Sequence, residues 1–137
     1  MKVEIFALCD YVVDNGNKLT IVGTFDTINT DTLPATIPSV GIGIRIVMNE
    51  KEATNPKKHK LFVRFISPQG NQLNEIKADV ELSVKKGTER VVLQLAFNMS
   101  GLTFKEYGTH KIELVFNETP IEDRIINVNK PINTPVS

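Results

Sequence analysis

The sequence predicts an all-β fold, an antiparallel β-sandwich of about eight strands that is immunoglobulin-like in general plan. Apolar and polar residues alternate in short runs, which is the pattern of a strand with one buried face. Turn residues separate these runs about every ten positions, a spacing typical of sandwiches and small barrels. No window of similar length keeps a 3.6-residue apolar stripe, so we expect no helix.

Eight runs qualify as strands, and Val40–Met48 alternates without a break. The predicted strands are Val3–Val13, Lys18–Thr27, Val40–Met48, Lys60–Ser67, Glu75–Lys85, Arg90–Met99, His110–Asn117 and Ile121–Val128. A chain of 137 residues suits one domain, which we place at residues 1–130, with a C-terminal tail at residues 131–137.

The net charge of the chain argues against some classes of partner, and its cysteine content indicates the compartment. Sixteen basic residues balance sixteen acidic ones, so no long-range field would attract nucleic acid or an anionic membrane, and we expect neither as a partner. Glu4 and Asp10 interrupt the first apolar run, which is therefore not a signal peptide, and no run approaches the ~18 apolar residues of a membrane span. The single cysteine, Cys9, predicts a reducing compartment, and we expect the cytoplasm.

The first two strands are expected to form a hairpin whose odd-numbered side chains share the core. A three-residue loop, Asp14-Asn15-Gly16, would give that parity, with Gly16 in the left-handed conformation. A shift of one residue would turn every side chain to the other face. The facing residues in the predicted register are Ala7 and Gly23, Cys9 and Ile21, and Tyr11 and Leu19.

This register leaves apolar side chains on the outer face of the first hairpin. A solvated sheet face is normally polar, so the patch is either covered by the loop that contains Pro34 or binds a partner or a second copy. The residues of this candidate interaction surface are Phe6, Leu8, Asp10, Val12, Thr20 and Val22.

A second hairpin is predicted at the turn Lys86–Glu89. A two-residue Gly87-Thr88 loop, with glycine first as in type II′ turns, would join strands Glu75–Lys85 and Arg90–Met99. Long connections remain at Ile28–Ser39 and Asn49–Lys58. Connections of this length either carry function or take the chain from one sheet to the other.

Side chains capable of catalysis or metal binding form no recognisable motif. The odd position of Cys9 predicts that it is buried, and His110 is expected to pack in the core. His59 lies in the basic segment 56–60, which is interpreted as a solvated loop because no aromatic residues are interleaved. No catalytic residue, metal or cofactor is therefore predicted.

Two motifs in the first forty residues resemble a family of small, uncharacterised bacterial domains of unknown function. They are Phe6-x-Leu8-Cys9-Asp10 and Gly16-x-Lys18-Leu19-Thr20-Ile21-Val22-Gly23-Thr24-Phe25-Asp26, followed by Pro34. A final segment around Phe104, Gly108 and Ile112 resembles the closing hairpin of immunoglobulin-like sandwiches, with His110 where those usually have tyrosine. The resemblance implies the sandwich fold and no activity.

The leading hypothesis is a non-catalytic binding or assembly module. It would bury apolar surface against an unidentified protein or a second copy of itself, through the candidate interaction surface or the 28–39 loop. A carbohydrate- or small-ligand-binding sandwich is an alternative, although the chain has no tryptophan and two tyrosines to stack on sugar rings. An enzyme of unrecognised type is the third alternative.

Overall fold

The structure is a computed structural model that describes residues 1–16 and 18–131. Within these residues the chain forms nine strands and one short helix. They are β1 (Lys2–Asp14), β2 (Leu19–Thr24), β3 (Thr27–Asn29), β4 (Ala35–Met48), α1 (Glu50–Thr54), β5 (Lys58–Ile66), β6 (Gln72–Glu81), β7 (Val91–Phe104), β8 (Gly108–Phe116) and β9 (Thr119–Asn129). Residues 132–137 of the predicted tail lie outside the described residues.

Two sheets pack face to face and confirm the predicted sandwich. The first has the strand order β2-β1-β4-β7 and the second the order β3-β9-β8-β5-β6. Pairing of β4 with β7 in one sheet and of β5, β8 and β9 in the other corresponds to strands B–E and C–F–G of immunoglobulin domains. Neighbours pair antiparallel, except that the short additional strand β3 runs parallel to β9.

Alternate side chains of both sheets fill one core. The predicted alternation of β4 is confirmed, because Ile42, Ile44 and Ile46 are fully buried between the sheets. Leu61 and Phe65 of β5 face them from the second sheet. Removal of this apolar surface from water is the main favourable term in folding.

Phe6 and Leu8 also lie in this core, so their predicted outward placement is wrong. They are 4% and 7% exposed, and they pair with Ile44 and Ile42 of β4. The predicted loop was one residue too short, because pairing of Asp14 with Leu19 leaves four residues between β1 and β2. An even-length loop reverses the parity. The observed pairs are Cys9–Thr24, Tyr11–Val22, Val12–Ile21 and Val13–Thr20.

After Cys9, β1 leaves β4 and crosses the outer face of the first sheet together with β2. We call residues 10–14 and 19–24 the β1–β2 ribbon. Pairing of β1 with β4 ends at Gly41, and the side chain of Asn98 on β7 replaces it. Asn98 Oδ1 accepts from the Val12 N–H (3.0 Å), and Asn98 Nδ2 donates to the Val12 carbonyl (2.7 Å). Val12 is therefore buried beneath the ribbon and outside the main core.

Two glycines of β4 make room for the ribbon. A Cβ at Gly41 would lie 2.9 Å from Cys9 Sγ and 3.1 Å from the backbone carbonyl carbon of Tyr11. A Cβ at Gly43 would lie 3.2 Å from Cδ1 of Ile21. Glycine inside a strand often marks such a close approach of another backbone.

Substitution of these glycines should distinguish the two contacts. Gly41→Ala should lower the free energy of unfolding by roughly 2–3 kcal/mol, because its methyl group meets backbone. Gly43→Ala should cost less than about 1 kcal/mol, since its methyl group meets the flexible end of a side chain. Urea unfolding measures both changes, and equal losses would contradict this packing.

Polar side chains connect the tip of the ribbon to the sheet. Arg45 Nε donates to Glu4 Oε1 (2.9 Å), and Arg45 Nη1 donates to Gln94 Oε1 (2.8 Å). Gln94 Nε2 in turn donates to Asp14 Oδ1 (3.0 Å). The hydrogen bond from Arg45, supported by the charge of Arg90, lowers the pKa of Glu4 below its ordinary value of 4.5.

The lowered pKa of Glu4 predicts how stability depends on pH. Ionised Glu4 stabilises the folded chain above pH 4.5, and this contribution is lost as the pH falls below 4.5 through the lowered pKa. Glu4→Gln should therefore be less stable than wild type at pH 7, and the difference should shrink at acid pH. Urea midpoints between pH 3 and pH 7 measure it, and a difference that does not vary with pH would contradict the ion pair.

The predicted hairpin between β6 and β7 is wrong. β6 pairs with β5 in the second sheet, whereas β7 pairs with β4 in the first. The connection includes a turn in which the Thr88 N–H donates to the Lys85 carbonyl (3.2 Å), and Gly87 (φ 88°) is the third residue of that turn. Alternation identifies the inward side of a strand, but it does not show whether two inward sides are neighbours or face each other across the core.

The predicted loop Ile28–Ser39 is mostly strand. It contains most of β3 and the start of β4, so that residues 30–34 lie outside strands. The Thr30 N–H donates to the Asn129 carbonyl (2.9 Å), and Tyr107 Oη donates to the Thr30 carbonyl (2.9 Å). These bonds hold the segment against β9 and the β7–β8 connection.

The predicted loop Asn49–Lys58 contains α1, so the expectation of no helix is wrong. Asn49 Oδ1 accepts from the Glu52 N–H, and the Glu52 side chain accepts from the Asn49 N–H. This capping box can be recognised as Asn49-x-x-Glu52, but five residues are too few to show a helical stripe. Among the described residues, no helix is long and apolar enough to cross a membrane.

Candidate functional site

A cleft of about 400 Å³ opens at the side of the sandwich, between the β1–β2 ribbon and β9. Its lining combines core side chains with side chains from the sheet edges. The lining residues are Phe6, Ala7, Leu8, Thr24, Phe25, Asp26, Arg124 and Ile125. We call this space the side cleft.

The side cleft exists because the strands at this side are only partly paired. β3 pairs with β9 along residues 127–129, and within residues 1–16 and 18–131 no strand pairs with the earlier part of β9 on its outer side. β2 pairs with β1 from Cys9 onwards, and the Phe25 N–H donates to the Leu8 carbonyl (3.2 Å). The gap between the first half of β1 and the first half of β9 therefore stays open.

Arg124 lies across the mouth of the side cleft. Its guanidinium carbon is 5.7 Å from the centre of the Phe6 ring, within cation–π range. Its Nη1 atom is 3.0 Å from Glu122 Oε1 and donates to the Asp123 carbonyl (2.7 Å). The exposed carboxylate of Asp26 lies at the ribbon side of the cleft. The site thus combines an apolar floor with charged groups at its mouth.

Three large apolar side chains are exposed on the two elements that border this opening, the β1–β2 ribbon and β9. Ile125 lines the cleft and is 50% exposed. Tyr11 and Val22, a directly facing pair in the ribbon, are 52% and 51% exposed. Val22 precedes the lining residue Thr24 by two positions on β2. We call Tyr11, Val22 and Ile125 the apolar rim.

The structure divides the candidate interaction surface predicted from the sequence. Phe6 and Leu8 form the floor of the side cleft, and Val12 is buried beneath the ribbon. Asp10, Thr20 and Val22 are exposed on the ribbon.

Sequence reasoning missed Tyr11, Arg124 and Ile125. The incorrect register had assigned Tyr11 to the interior. Arg124 and Ile125 belong to a strand whose neighbour on the outer side, β3, is three residues long and lay mostly in a predicted loop. Nothing local in the sequence places β9 beside the β1–β2 ribbon.

His59 is buried, so its predicted place in a solvated loop is wrong. Its Nε2 atom donates to the Ala53 carbonyl (2.7 Å), its Nδ1 atom accepts from Asn117 Nδ2 (2.8 Å), and its ring stacks on Phe116 at 5.0 Å. Asn117 Oδ1 accepts from the Lys60 N–H (3.0 Å), which fixes the orientation of the amide. His59 therefore joins α1, β5 and the β8–β9 turn.

His110 packs in the core, as predicted. Its Nδ1 atom donates to the Gly108 carbonyl (3.2 Å), and its ring meets Phe104 edge to face at 5.0 Å. The Nε2 atom has no hydrogen-bond partner among the described residues. Those residues also contain no group of three or more His, Cys, Asp or Glu side chains that could hold a metal ion.

The predicted burial of Cys9 is confirmed, because its side chain is fully covered where the ribbon leaves β4. Its predicted place among the core side chains is wrong, since it lies outside the main core, against Gly41. Burial raises the pKa of the thiol, which donates a weak hydrogen bond to the Tyr11 carbonyl (3.4 Å). The nucleophilic form of cysteine is the thiolate, so this setting suppresses reactivity.

Alkylation of Cys9 by iodoacetamide at pH 8 should be on the order of a hundredfold slower in the folded chain than in guanidinium chloride. A Cys9→Ser/Ser100→Cys variant supplies the control, because Ser100 is exposed on β7 and its replacement should react rapidly. Similar rates for native and denatured wild type would contradict the buried position.

Comparisons with known proteins identify a family. No curated protein gives a significant match. An immunoglobulin-like protein from Pseudomonas aeruginosa, whose crystal structure was determined at 1.50 Å, is similar at a TM-score of 0.36 with 12% identity, over 94% of this chain and 98% of that one. The profile of a family of unknown function, DUF6941, matches residues 4–129. The chain therefore belongs to this family of unknown function.

Proposed function

We propose that this domain is a non-catalytic binding module that captures an extended segment of another protein at the side cleft. The observation that carries the proposal is the position of the apolar rim. Single exposed apolar residues are normal on protein surfaces, but Ile125 lines a cleft with a phenylalanine and a leucine in its floor, and Tyr11 and Val22 lie on the ribbon that adjoins it.

The rim supplies a favourable free energy of binding when a partner covers it. Covering apolar surface contributes about 25 cal/mol per Å², and each rim side chain is half exposed. The buried parts of Tyr11, Val22 and Ile125 hold them in place, so a partner need not immobilise flexible groups.

A protein partner fits the charge of the chain better than nucleic acid or a membrane surface. The net charge is zero, and the cleft carries Asp26 as well as Arg124. Sugar binding has less support, because Tyr11 is the one aromatic side chain of the rim and a stacking platform normally needs broad exposed rings. A cytoplasmic location is part of the proposal and agrees with the buried thiol of Cys9.

Selection from a displayed library of random twelve-residue peptides tests the proposal. Peptides enriched on the wild-type domain should share a large apolar residue. Val22→Glu and Ile125→Glu should each weaken their binding at least about tenfold, which corresponds to about 1.4 kcal/mol. Isothermal titration calorimetry with the enriched peptides gives the dissociation constants.

Ser100→Glu is the matched control, because it adds the same charge at an exposed position on β7, the opposite edge strand of the first sheet. Circular dichroism verifies that all three variants remain folded. Peptides that bind the rim variants as tightly as wild type would refute the proposed site. A wild-type dimer that both rim substitutions dissociate would identify the bound protein as a second copy of the chain.

A further inference from the structure

We infer that the partner segment binds as an added β-strand on the free edge of β9. Before it binds, the side chains of Glu122 and Arg124 guard this edge by occupying its backbone hydrogen-bonding groups. The inference rests on the proposed function and specifies its binding mode. Its basis is the pattern of hydrogen bonds along β9.

The bonds to the β3 segment show which backbone groups of β9 face the outer edge. The Asn127 N–H donates to the Asp26 carbonyl (2.7 Å), and the Asn129 carbonyl accepts from the Thr30 N–H (2.9 Å). Backbone groups alternate between the two edges of a strand, so Asp123 and Ile125 direct their N–H and carbonyl groups to this same edge. In the described part of the chain, no strand pairs with β9 there.

Side chains occupy this edge at Asp123. The Asp123 N–H donates to Glu122 Oε1 (3.2 Å), and the Asp123 carbonyl accepts from Arg124 Nη1 (2.7 Å). Arg124 Nη1 and Glu122 Oε1 are 3.0 Å apart, so the two side chains also bind each other. Together they occupy both backbone hydrogen-bonding groups of Asp123, which an added strand would also use.

Charged side chains at an open edge are a common protection against unwanted strand pairing. This protection is easily displaced, because both side chains are more than one-third exposed and exposed ion pairs contribute little to stability. An added strand would replace the two side-chain bonds at Asp123 with backbone bonds and extend the pairing to Ile125.

Displacement of Arg124 also opens the floor of the side cleft. The guanidinium group lies over the Phe6 ring, so its departure exposes an apolar surface next to the newly paired edge. An apolar side chain of the added strand would occupy that position. Strand pairing and filling of the cleft are therefore one event.

The charges at the mouth of the side cleft indicate which charged residues the partner segment carries. Asp26, Glu122 and Asp123 oppose the single positive charge of Arg124, so the edge has a net charge of −2. A basic side chain can pair with Glu122 once Arg124 has moved. The partner that fits is an extended segment in which apolar and basic residues alternate.

Binding of an acetylated and amidated eight-residue peptide of alternating valine and lysine tests this inference. The peptide should protect the amides of Asp123 and Ile125 from hydrogen exchange, as measured by NMR. Two N-methylated forms of the peptide are compared, one methylated at its odd-numbered residues and one at its even-numbered residues. The form in which methylation removes the donors that face β9 should bind at least tenfold more weakly than the unmethylated peptide. A valine–glutamate peptide should bind at least tenfold more weakly than the valine–lysine peptide.

Arg124→Ala removes the guard and should tighten binding of the valine–lysine peptide several-fold. Arg64→Ala is the control, because Arg64 forms a comparable ion pair with Glu75 away from the cleft, and it should leave binding unchanged. Weaker or unchanged binding by Arg124→Ala would refute the guarding role.

No binding of the valine–lysine peptide, equal binding of both methylated forms, or protection elsewhere than β9 would refute strand addition. None of these results would by itself refute the protein-binding proposal. That proposal fails separately, when selected peptides bind without dependence on Val22 and Ile125.

Discussion

The departure of β1 from β4 at Cys9 determines the arrangement of the candidate site. It depends on a close approach of two backbones. Gly41 permits this approach because it has no Cβ, and the thiol of Cys9 and the backbone of Tyr11 occupy the space that a Cβ would need. Asn98 then satisfies both backbone groups of Val12 that would otherwise lose their partners. The ribbon consequently lies across the outer face of the first sheet. The side of the sandwich therefore stays open between the first half of β1 and the first half of β9.

Features that depend on one strand at a time could be predicted from the sequence. The alternation of β4 gave its inward face. The burial of Cys9 was predicted from its odd position, although the odd-numbered side of β1 is not the core side and Cys9 is buried there against Gly41. The pairing of strands could not be derived in the same way. Because one loop residue was not recognised, Phe6 and Leu8 were assigned to the wrong face. The inward faces of β6 and β7 were predicted correctly, but the two strands were paired side by side although they lie in different sheets.

Two signals in the sequence were informative but were not used. Gly41 and Gly43 alternate with Ile42 and Ile44, a pattern that indicates one buried face and one face in close contact with another backbone. Asn49 and Glu52 have the spacing of a capping box. The side cleft itself had no comparable signal, because its walls come from segments about a hundred residues apart. The motifs that resemble the family contribute its floor, through Phe6 and Leu8, and one of its walls, through Thr24, Phe25 and Asp26.

The parallel pairing of β3 with β9 has a consequence for how the chain acquires its structure during synthesis. Residues 27–29 are synthesised about a hundred residues before their partners at 127–129. They therefore have no strand to pair with until β9 has emerged from the ribosome. Arg124 arrives equally late, and until then Phe6 and Leu8 have no cover from that side. Such non-local contacts form slowly and leave apolar surface open to other chains. A nascent chain thus exposes the floor of the side cleft, Phe6 and Leu8, before β9 is present to complete the cleft.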